Sequence, residues 1–244
     1  MGLFLFILLF LLGLLLGSLF TLISDRLLDE APPAFHRYVI RCLRQTERTN
    51  GRQGTHREPL PLRYPLGIVG FAAIFAITCL QLGWQSELPA GLLLLGILYV
   101  ILQTDLAEMT IPNEAVICGL VAAVVLRLIH HPLPFWNYAA AAIGASGFLL
   151  AIGLLFEKVL GKEAMGGGDI KLYLFLGLVL GIKLTALSVF LASFLGLLVL
   201  LPLQVLNKKG TGEPVPFGPF IAGGAWIALL WGDFLVDAYL NLLM

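Results

Sequence analysis

Two aspartates, Asp105 and Asp169, have the surroundings in this sequence that best suit chemistry. Asp105 follows a long apolar run and begins a polar turn that ends in Ile-Pro-Asn at 111–113. Asp169 follows three glycines at 166–168 and precedes the next apolar run. A carboxylate costs about 2.5–3.5 kcal/mol at the centre of a bilayer and less near its surface, so its retention beside an apolar run indicates a function.

Two carboxylates brought close together at one membrane face are suited to aspartic protease chemistry. They cannot easily both ionise, so one keeps a proton and the pair titrates as a unit. The ionised member would take a proton from water as the water attacks a peptide carbonyl, and the protonated member would donate to the carbonyl oxygen. This chemistry requires no metal and no organic cofactor. The alternative for each aspartate taken alone is a solvated cap at a helix end.

Other catalytic sets fit the sequence less well. The serines have no suitably placed histidine, because His36 and His56 lie in the first polar loop and His130 and His131 lie at the opposite face. The three cysteines show neither a disulfide framework nor the spacing of metal ligands. We therefore predict no metal site.

The glycines beside Asp169 favour the close approach of a substrate. Without side chains, Gly166, Gly167 and Gly168 leave room for an extended peptide backbone next to the carboxylate. The alternative is a flexible hinge. Lys171 is predicted to point about 200° around the helix from Asp169, and so to extend toward the membrane surface rather than neutralise the acid.

Two proline-containing turns are predicted to fix where the chain re-enters the membrane. Pro112 suits the first turn of a helix and would anchor the loop that follows the first aspartate. The segment Pro216-Phe217-Gly218-Pro219 either helps to shape a substrate groove or simply ends a loop and begins the last helix.

The elements that must position these residues are membrane helices. Hydrophobic residues make up 59% of the 244 residues and charged residues only 12%, whereas about a quarter of a soluble domain is charged. Apolar runs of the length that crosses a bilayer predict an all-α, polytopic membrane protein with about eight transmembrane helices. The predicted spans are 2–24, 66–83, 88–104, 114–130, 138–156, 170–182, 184–206 and 216–232. The Gly-x-x-x-Gly pairs at 13–17 and 177–181 favour close packing between helices.

The only long polar stretch, residues 25–65, sets the predicted topology. It holds eight arginines against five acidic residues, so the positive-inside rule makes it a cytoplasmic loop. Each span then reverses sides, which puts Asp105 and Asp169 at the cytoplasmic face and both termini on the other side. We therefore predict a single membrane domain, 1–244, that contains this loop. The formal net charge of zero offers no basic excess for binding nucleic acid.

These residues resemble those of the bacterial type IV prepilin peptidases, which are membrane aspartyl proteases with a Gly-x-Gly-Asp motif. Gly166, Gly168 and Asp169 match that motif. Asp-Leu at 105–106, followed by Ile-Pro at 111–112, resembles the segment around the family's first catalytic aspartate. Further matches span nearly the whole chain: Gly17-Ser18, Arg26-Leu27, Arg63-Tyr64-Pro65-Leu66, Lys171-Leu172 and Pro216-Phe217-Gly218-Pro219.

The resemblance implies that Asp105 and Asp169 are catalytic. It implies that the chain removes the short basic leader peptide from type IV prepilins or type II secretion pseudopilins. The implied location is the bacterial inner membrane, with the active site facing the cytoplasm and both termini periplasmic. The apolar helix of the precursor would stay in the lipid bilayer while its basic leader remains inside, which presents their junction to the aspartates.

The sequence departs from the family pattern where a second family activity is concerned, the S-adenosylmethionine-dependent methylation of the new amino terminus. Many members carry two Cys-x-x-Cys pairs in the first cytoplasmic loop, with the spacing of a structural zinc site, whereas Cys42 stands alone in this loop. Thr21 replaces a usual Asn, and Asn113 a usual Asp. S-adenosylmethionine is therefore implied as a cofactor only if methyltransferase activity is retained, and the peptidase needs none.

Two other functions stay open on sequence alone. A non-catalytic membrane transporter or assembly component could use the aspartates to bind protons or cations, although such acids usually lie near the middle of the membrane in facing helices. A related peptidase could cleave other helical membrane precursors, because a pair of aspartates says little about which chain is presented.

Overall fold

The computed structural model describes residues 2–28, 63–161, 166–207 and 215–243, and these residues are almost entirely helical. Most of the predicted 25–65 loop, including Cys42, lies outside them. Seven helices are assigned within the described residues: α1 Gly2–Leu27, α2 Arg63–Leu82, α3 Leu88–Glu108, α4 Asn113–Ile129, α5 Phe135–Leu160, α6 Gly167–Asn207 and α7 Gly218–Leu243.

Six helices in the described part of the chain are long and apolar enough to cross a membrane, namely α1, α2, α3, α5, α6 and α7. The seventh, α4, has 17 residues and is shorter than the about 20 residues that a typical span needs. The predicted class, an all-α polytopic membrane protein, is confirmed. The count of eight spans stays a prediction.

Helix boundaries differ from the predicted spans mainly where a helix continues past its apolar run. Helix α3 extends through Glu108 rather than ending at 104, and α7 runs from Gly218 to Leu243 rather than over 216–232. The predictions were wrong at these ends because hydropathy reports where side chains become polar, whereas backbone hydrogen bonds continue to the next cap. Asp105 consequently lies in the last turn of α3.

Helix α6 is interrupted at Gly181. This residue has φ 75° and ψ 175°, a conformation that is essentially restricted to glycine. The Asn137 side chain lies against the turn, and its Oδ1 accepts a hydrogen bond of 3.0 Å from the Ile182 N–H. The sequence predicted two helices here, 170–182 and 184–206, and the interruption falls within three residues of the gap between them.

The two halves of α6 run in opposite directions. The first half, 167–180, begins near Asp105, since the charges of Asp105 and Asp169 interact. The second half, 182–207, returns to that end of the bundle, where Gly196 packs against Phe217. The start of the first half and the end of the second half therefore lie at the same end of the helical bundle. The Gly181 turn lies at the opposite end.

The first half of α6 lies in the centre of the core formed by residues 81–244. Leu172, Phe175 and Leu176 are fully buried and pack in one cluster with residues of α3, α4, α5 and α7. Small residues bring the backbones together: Gly119 of α4 packs on the Phe175 ring, and Gly177 packs directly on the backbone of Ala142. Close packing of this kind stabilises helix association in lipid, where the hydrophobic effect between helices is weak.

The chain divides into two compact units, residues 1–80 and 81–244. In the first unit, Gly13 of α1 packs against the backbone of Ala72, and Gly17 packs against Phe71 and Ile68 of α2. The predicted close packing at Gly13 and Gly17 is therefore confirmed. The prediction of a single membrane domain stays a prediction.

An ionic network joins three helices and the residue before α3 at the end of the second unit that is remote from Asp105. Arg127 of α4 donates two hydrogen bonds to the Glu87 carboxylate, at 2.8 and 2.9 Å, and another to the Val179 carbonyl. Its guanidinium also lies 4.3 Å from the centre of the Tyr138 ring. Arg127 is only 3% exposed, so this network neutralises a charge that would otherwise be costly to bury.

Candidate active site

Asp105 is held by the end of its own helix. The N–H of Met109 donates a hydrogen bond of 2.9 Å to the Asp105 carbonyl, and Met109 has the left-handed φ of 53° that ends α3. The Asp105 residue is only 5% exposed. Glu108, in the same turn, is exposed.

The Asp105 carboxylate accepts a hydrogen bond from the first residue of α7. The Gly218 N–H donates to Asp105 Oδ2 at 2.7 Å, and this contact is buried. A Cβ on Gly218 would lie 2.6 Å from the same oxygen, so only glycine fits. A charge-assisted bond at a helix amino terminus favours a negative carboxylate.

The structure assigns positions to the predicted Pro216-Phe217-Gly218-Pro219 segment. Pro216 and Phe217 precede α7 rather than beginning it, and Gly218 and Pro219 are its first two residues. The Phe217 ring packs on Gly196 and lies 5.9 Å from the Phe220 ring. The segment therefore begins the last helix and also presents a backbone donor to Asp105, a direct contact that the sequence did not predict.

Asp169 lies in the first turn of α6. Its N–H donates a hydrogen bond of 3.2 Å to the carbonyl of Gly166, and Gly167 and Gly168 are part of the helix. Gly167 and Gly168 form the first turn of the helix, and the flexible-hinge alternative for these glycines stays a prediction. Space beside Gly167 is open, and the nearest atom to a Cβ on Gly166 would be Asp169 Oδ2 at 3.8 Å.

Gly168 has a packing role beside Asp169. A Cβ at this position would lie 2.9 Å from the Cβ of Ile111, so the absence of a side chain lets the α3–α4 loop rest on the first turn of α6. Pro112 follows Ile111 in the loop with φ −67° and ψ 130°, and α4 begins at Asn113. Pro112 thus immediately precedes the helix that it was predicted to begin.

Lys171 does not simply extend toward the membrane surface. Its Nζ donates a hydrogen bond of 2.9 Å to Oδ1 of Asn113, the first residue of α4. The amino termini of α4, α6 and α7 therefore meet around the two aspartates. Helix amino termini carry partial positive charge, which stabilises carboxylates placed beside them.

Tyr173 and Ser188 form a buried polar layer next to Asp169 that the sequence analysis missed. Tyr173 lies one helical turn after Asp169 and is 1% exposed, and its hydroxyl lies beside Ser188 in the second half of α6. Helical side chains lean toward the amino terminus, so the Tyr173 ring tilts toward the turn that holds Asp169. The sequence signal for this contact was the four-residue spacing between Asp169 and Tyr173, which places both residues on one face of a helix.

A pair of neighbouring carboxyl groups is suited to acid–base chemistry on a peptide bond. The carboxylates of Asp105 and Asp169 are close enough for their charges to interact. Among the residues that the structure describes, no three His, Cys, Asp or Glu side chains come together as a metal site. The predictions of cofactors and catalytic residues stay predictions.

Comparison with known proteins identifies a family model and several curated relatives. The model described as the type IV leader peptidase family matches residues 92–201, a range that includes both aspartates. A Bacillus subtilis protein is 32% identical over 179 residues, which cover 73% of this chain and 70% of the relative. No solved structure matches significantly.

Relatives from other bacteria are similar to the same extent. A protein of Aeromonas salmonicida is 31% identical over 184 residues, or 75% of this chain and 62% of the relative. A protein of Pseudomonas putida is 31% identical over 193 residues, or 79% of this chain and 67% of the relative. These two proteins and the Bacillus subtilis protein are each named prepilin leader peptidase/N-methyltransferase.

Proposed function

Because the chain belongs to the type IV leader peptidase family, we propose that it is an aspartic endopeptidase of the membrane that cleaves the leader peptide from prepilins. The substrates are precursors of type IV pilins or of type II secretion pseudopilins. The proposal rests on the meeting of the two aspartate-bearing segments at one end of an apolar helical bundle, where Gly218 donates to Asp105 and Gly168, next to Asp169, packs on Ile111.

The two aspartates have different roles in the proposed reaction. Asp105 accepts the Gly218 N–H and is therefore the ionised member, which takes a proton from water as the water oxygen attacks the scissile carbonyl carbon. Asp169 donates its proton to the carbonyl oxygen. Collapse of the tetrahedral intermediate returns a proton to Asp169, and Asp105 gives its proton to the leaving amine.

The proposed location is the bacterial inner membrane, with the aspartates facing the cytoplasm and both termini in the periplasm. The eight arginines of the 25–65 loop support this orientation. The apolar helix of the precursor then stays in the bilayer while its basic leader remains in the cytoplasm. Cleavage takes place at their junction, at the level of Asp105 and Asp169.

The peptidase is proposed to need no cofactor. S-adenosylmethionine would be required only if the chain also methylates the new amino terminus, the second activity in the names of its relatives. Cys42 is the one cysteine of the first loop, so the loop lacks the four cysteines of a structural zinc site.

Removing either carboxyl tests the proposal. Asp105→Asn and Asp169→Asn are each expected to lower cleavage of a co-expressed prepilin by about 10²–10⁴-fold or more, because each removes one proton-transfer group. Mass analysis of the mature pilin amino terminus reports the cleavage site and methylation together. Asp237→Asn is the matched control, since Asp237 is exposed at the remote end, where it pairs with Lys183.

Full cleavage by either active-site variant would exclude the proposed peptidase mechanism. Movement of protons or cations across the membrane without cleavage by the unmodified protein would instead support the transporter alternative. Normal membrane insertion of each variant, measured by its abundance in the membrane fraction, excludes misfolding as the cause of lost cleavage.

A further inference from the structure

Asn113 and Lys171 connect the two segments that carry the aspartates. Asn113 begins α4, directly after the short loop that leaves Asp105, and Lys171 follows Asp169 by two residues. The bond from Lys171 Nζ to Asn113 Oδ1 measures 2.9 Å and joins residues that lie 58 positions apart in sequence. Both side chains are exposed, so burial alone does not hold them together.

A second contact lies beside this hydrogen bond. Ile111 packs on the backbone of Gly168, and no side chain at Gly168 could be accommodated without a shift. We define the loop–helix clasp as the two contacts together, Ile111 on Gly168 and Lys171 to Asn113. Each contact joins a residue close to Asp105 in sequence with a residue adjacent or nearly adjacent to Asp169.

The segment between Asp105 and the clasp is short and has restricted backbone angles. Met109 is fixed in the left-handed conformation by its hydrogen bond to the Asp105 carbonyl, and proline restricts φ at Pro112. A displacement of Asn113 relative to α6 is therefore transmitted to the end of α3. The spacing between the two carboxylates depends on where the clasp holds this loop.

Lys171 acts without touching the aspartates. It lies two positions after Asp169, about 200° around the helix axis, so its ammonium is directed away from that carboxyl. An exposed hydrogen bond contributes little to folding stability. Catalysis is more sensitive, because a misplacement of about 1 Å can reduce the rate by 10²-fold.

On the premise of the proposed peptidase function, we propose that Lys171 and Asn113 are a positioning pair that sets the spacing of Asp105 and Asp169. The group that Lys171 contacts is a neutral amide oxygen, so an acceptor oxygen rather than a negative charge is what Lys171 requires here. The pair therefore works as a spacer between the two catalytic segments.

Kinetic analysis of the full chain in detergent, with a type IV prepilin as substrate, tests the pair. Lys171→Met and Asn113→Ala are each expected to reduce kcat by about 10–100-fold with KM changed less than about twofold. The double variant is expected to be no slower than the worse single variant, because both remove the same bond. Asn113→Asp keeps the acceptor and is expected to retain kcat within about threefold.

Lys183→Met is the matched control. Lys183 lies in the same helix and also donates to a side-chain oxygen, Asp233 Oδ1, at 2.8 Å, but at the remote end of the bundle. The kcat of Lys183→Met is expected to equal that of the unmodified protein. Three outcomes would each overturn the positioning role: full kcat in Lys171→Met, multiplicative losses of kcat in the double variant, or equal losses of kcat in Asn113→Asp and Asn113→Ala.

A readout without substrate separates this inference from the proposed function. Cysteines placed at Glu108, which is exposed, and at Gly167, which faces open space, each carry a nitroxide label. Dipolar broadening between the two labels reports the spacing of the two segments. Lys171→Met is expected to widen the distance distribution, and Asn113→Asp to preserve it. An unchanged distribution in Lys171→Met overturns the pair, whereas failure of the unmodified protein to cleave any prepilin overturns only the peptidase.

Discussion

At the residue scale, the contact between Asp105 and Gly218 leaves no room for a side chain. The glycine supplies a backbone N–H at 2.7 Å, and a methyl group in its place would overlap the carboxylate oxygen. A residue without a side chain thus supplies the hydrogen bond that fixes one oxygen of the Asp105 carboxyl.

Gly218→Ala is expected to reduce kcat/KM by about 10–100-fold, since a hydrogen bond to a charged group is worth about 1.5–3 kcal/mol. Gly223→Ala is the matched control in the same helix, because a Cβ there would lie 3.4 Å from Leu195 Cδ1, an ordinary contact. Prepilin cleavage by the purified variants measures both. Equal activity of the two variants would show that Asp105 does not depend on this donor.

The sequence singled out the candidate site residues but not their contacts. Apolar runs and adjacent motifs were enough to single out Asp105 and Asp169 as a pair. The bond from Gly218 joins residues that are 113 positions apart, and no local pattern specifies such a partner. The same holds for Lys171 and Asn113, because each looked like an ordinary surface residue in its own helix.

At the element scale, α6 consists of two helical segments that run in opposite directions and meet at Gly181. Its first half carries Asp169 and its second half carries Ser188 back toward the same end. Gly181 makes this reversal in a single residue, so that no loop is needed between the halves. Hydropathy placed the break at Lys183, two residues after Gly181, but it gave no indication of how tight the turn is.

Gly181→Ala is expected to destabilise the protein by at least about 1–3 kcal/mol, because its φ of 75° and ψ of 175° are strained for any residue with a Cβ. The added atom would also lie 2.7 Å from Asn137 Oδ1. Thermal unfolding in detergent measures the loss. Gly144→Ala is the control and has the opposite expected sign, since this helical glycine faces open space and alanine is the better helix former.

The end of α3 shows where hydropathy fails at this scale. The apolar run stops near 104, yet the helix continues through Glu108 because Met109 provides a cap with a φ of 53°. A positive φ at methionine cannot be read from sequence, since this conformation is uncommon outside glycine, Asn and Asp. The prediction was therefore four residues short in the one helix that carries Asp105.

At the scale of the whole molecule, the second unit is held together differently at its two ends. The active-site end depends on glycines, a short loop and single hydrogen bonds. The remote end depends on Arg127, whose guanidinium binds Glu87, the Val179 carbonyl and the Tyr138 ring. Residues of three helices and the turn before α3 meet there, so the remote end is held by more contacts of charged groups than the other end.

Arg127→Met is expected to destabilise the protein by about 3 kcal/mol, because it leaves the Glu87 carboxylate without its partner. The double variant Arg127→Met, Glu87→Gln is expected to recover more than half of that loss, since no uncompensated charge remains. Thermal unfolding in detergent measures both. A double variant as unstable as the single one would show that Arg127 stabilises mainly through Tyr138 and Val179.

The pairing of Arg127 with Glu87 also affects how the protein enters the membrane during synthesis. Glu87 precedes α3 and Arg127 lies near the end of α4, so the two charges occupy the open ends of one helical hairpin. In the proposed orientation both ends must be translocated, and an isolated arginine there would oppose the direction that the first loop imposes. Bound to Glu87, the guanidinium is compensated once the hairpin has formed, which lowers the cost of keeping the arginine at the translocated end.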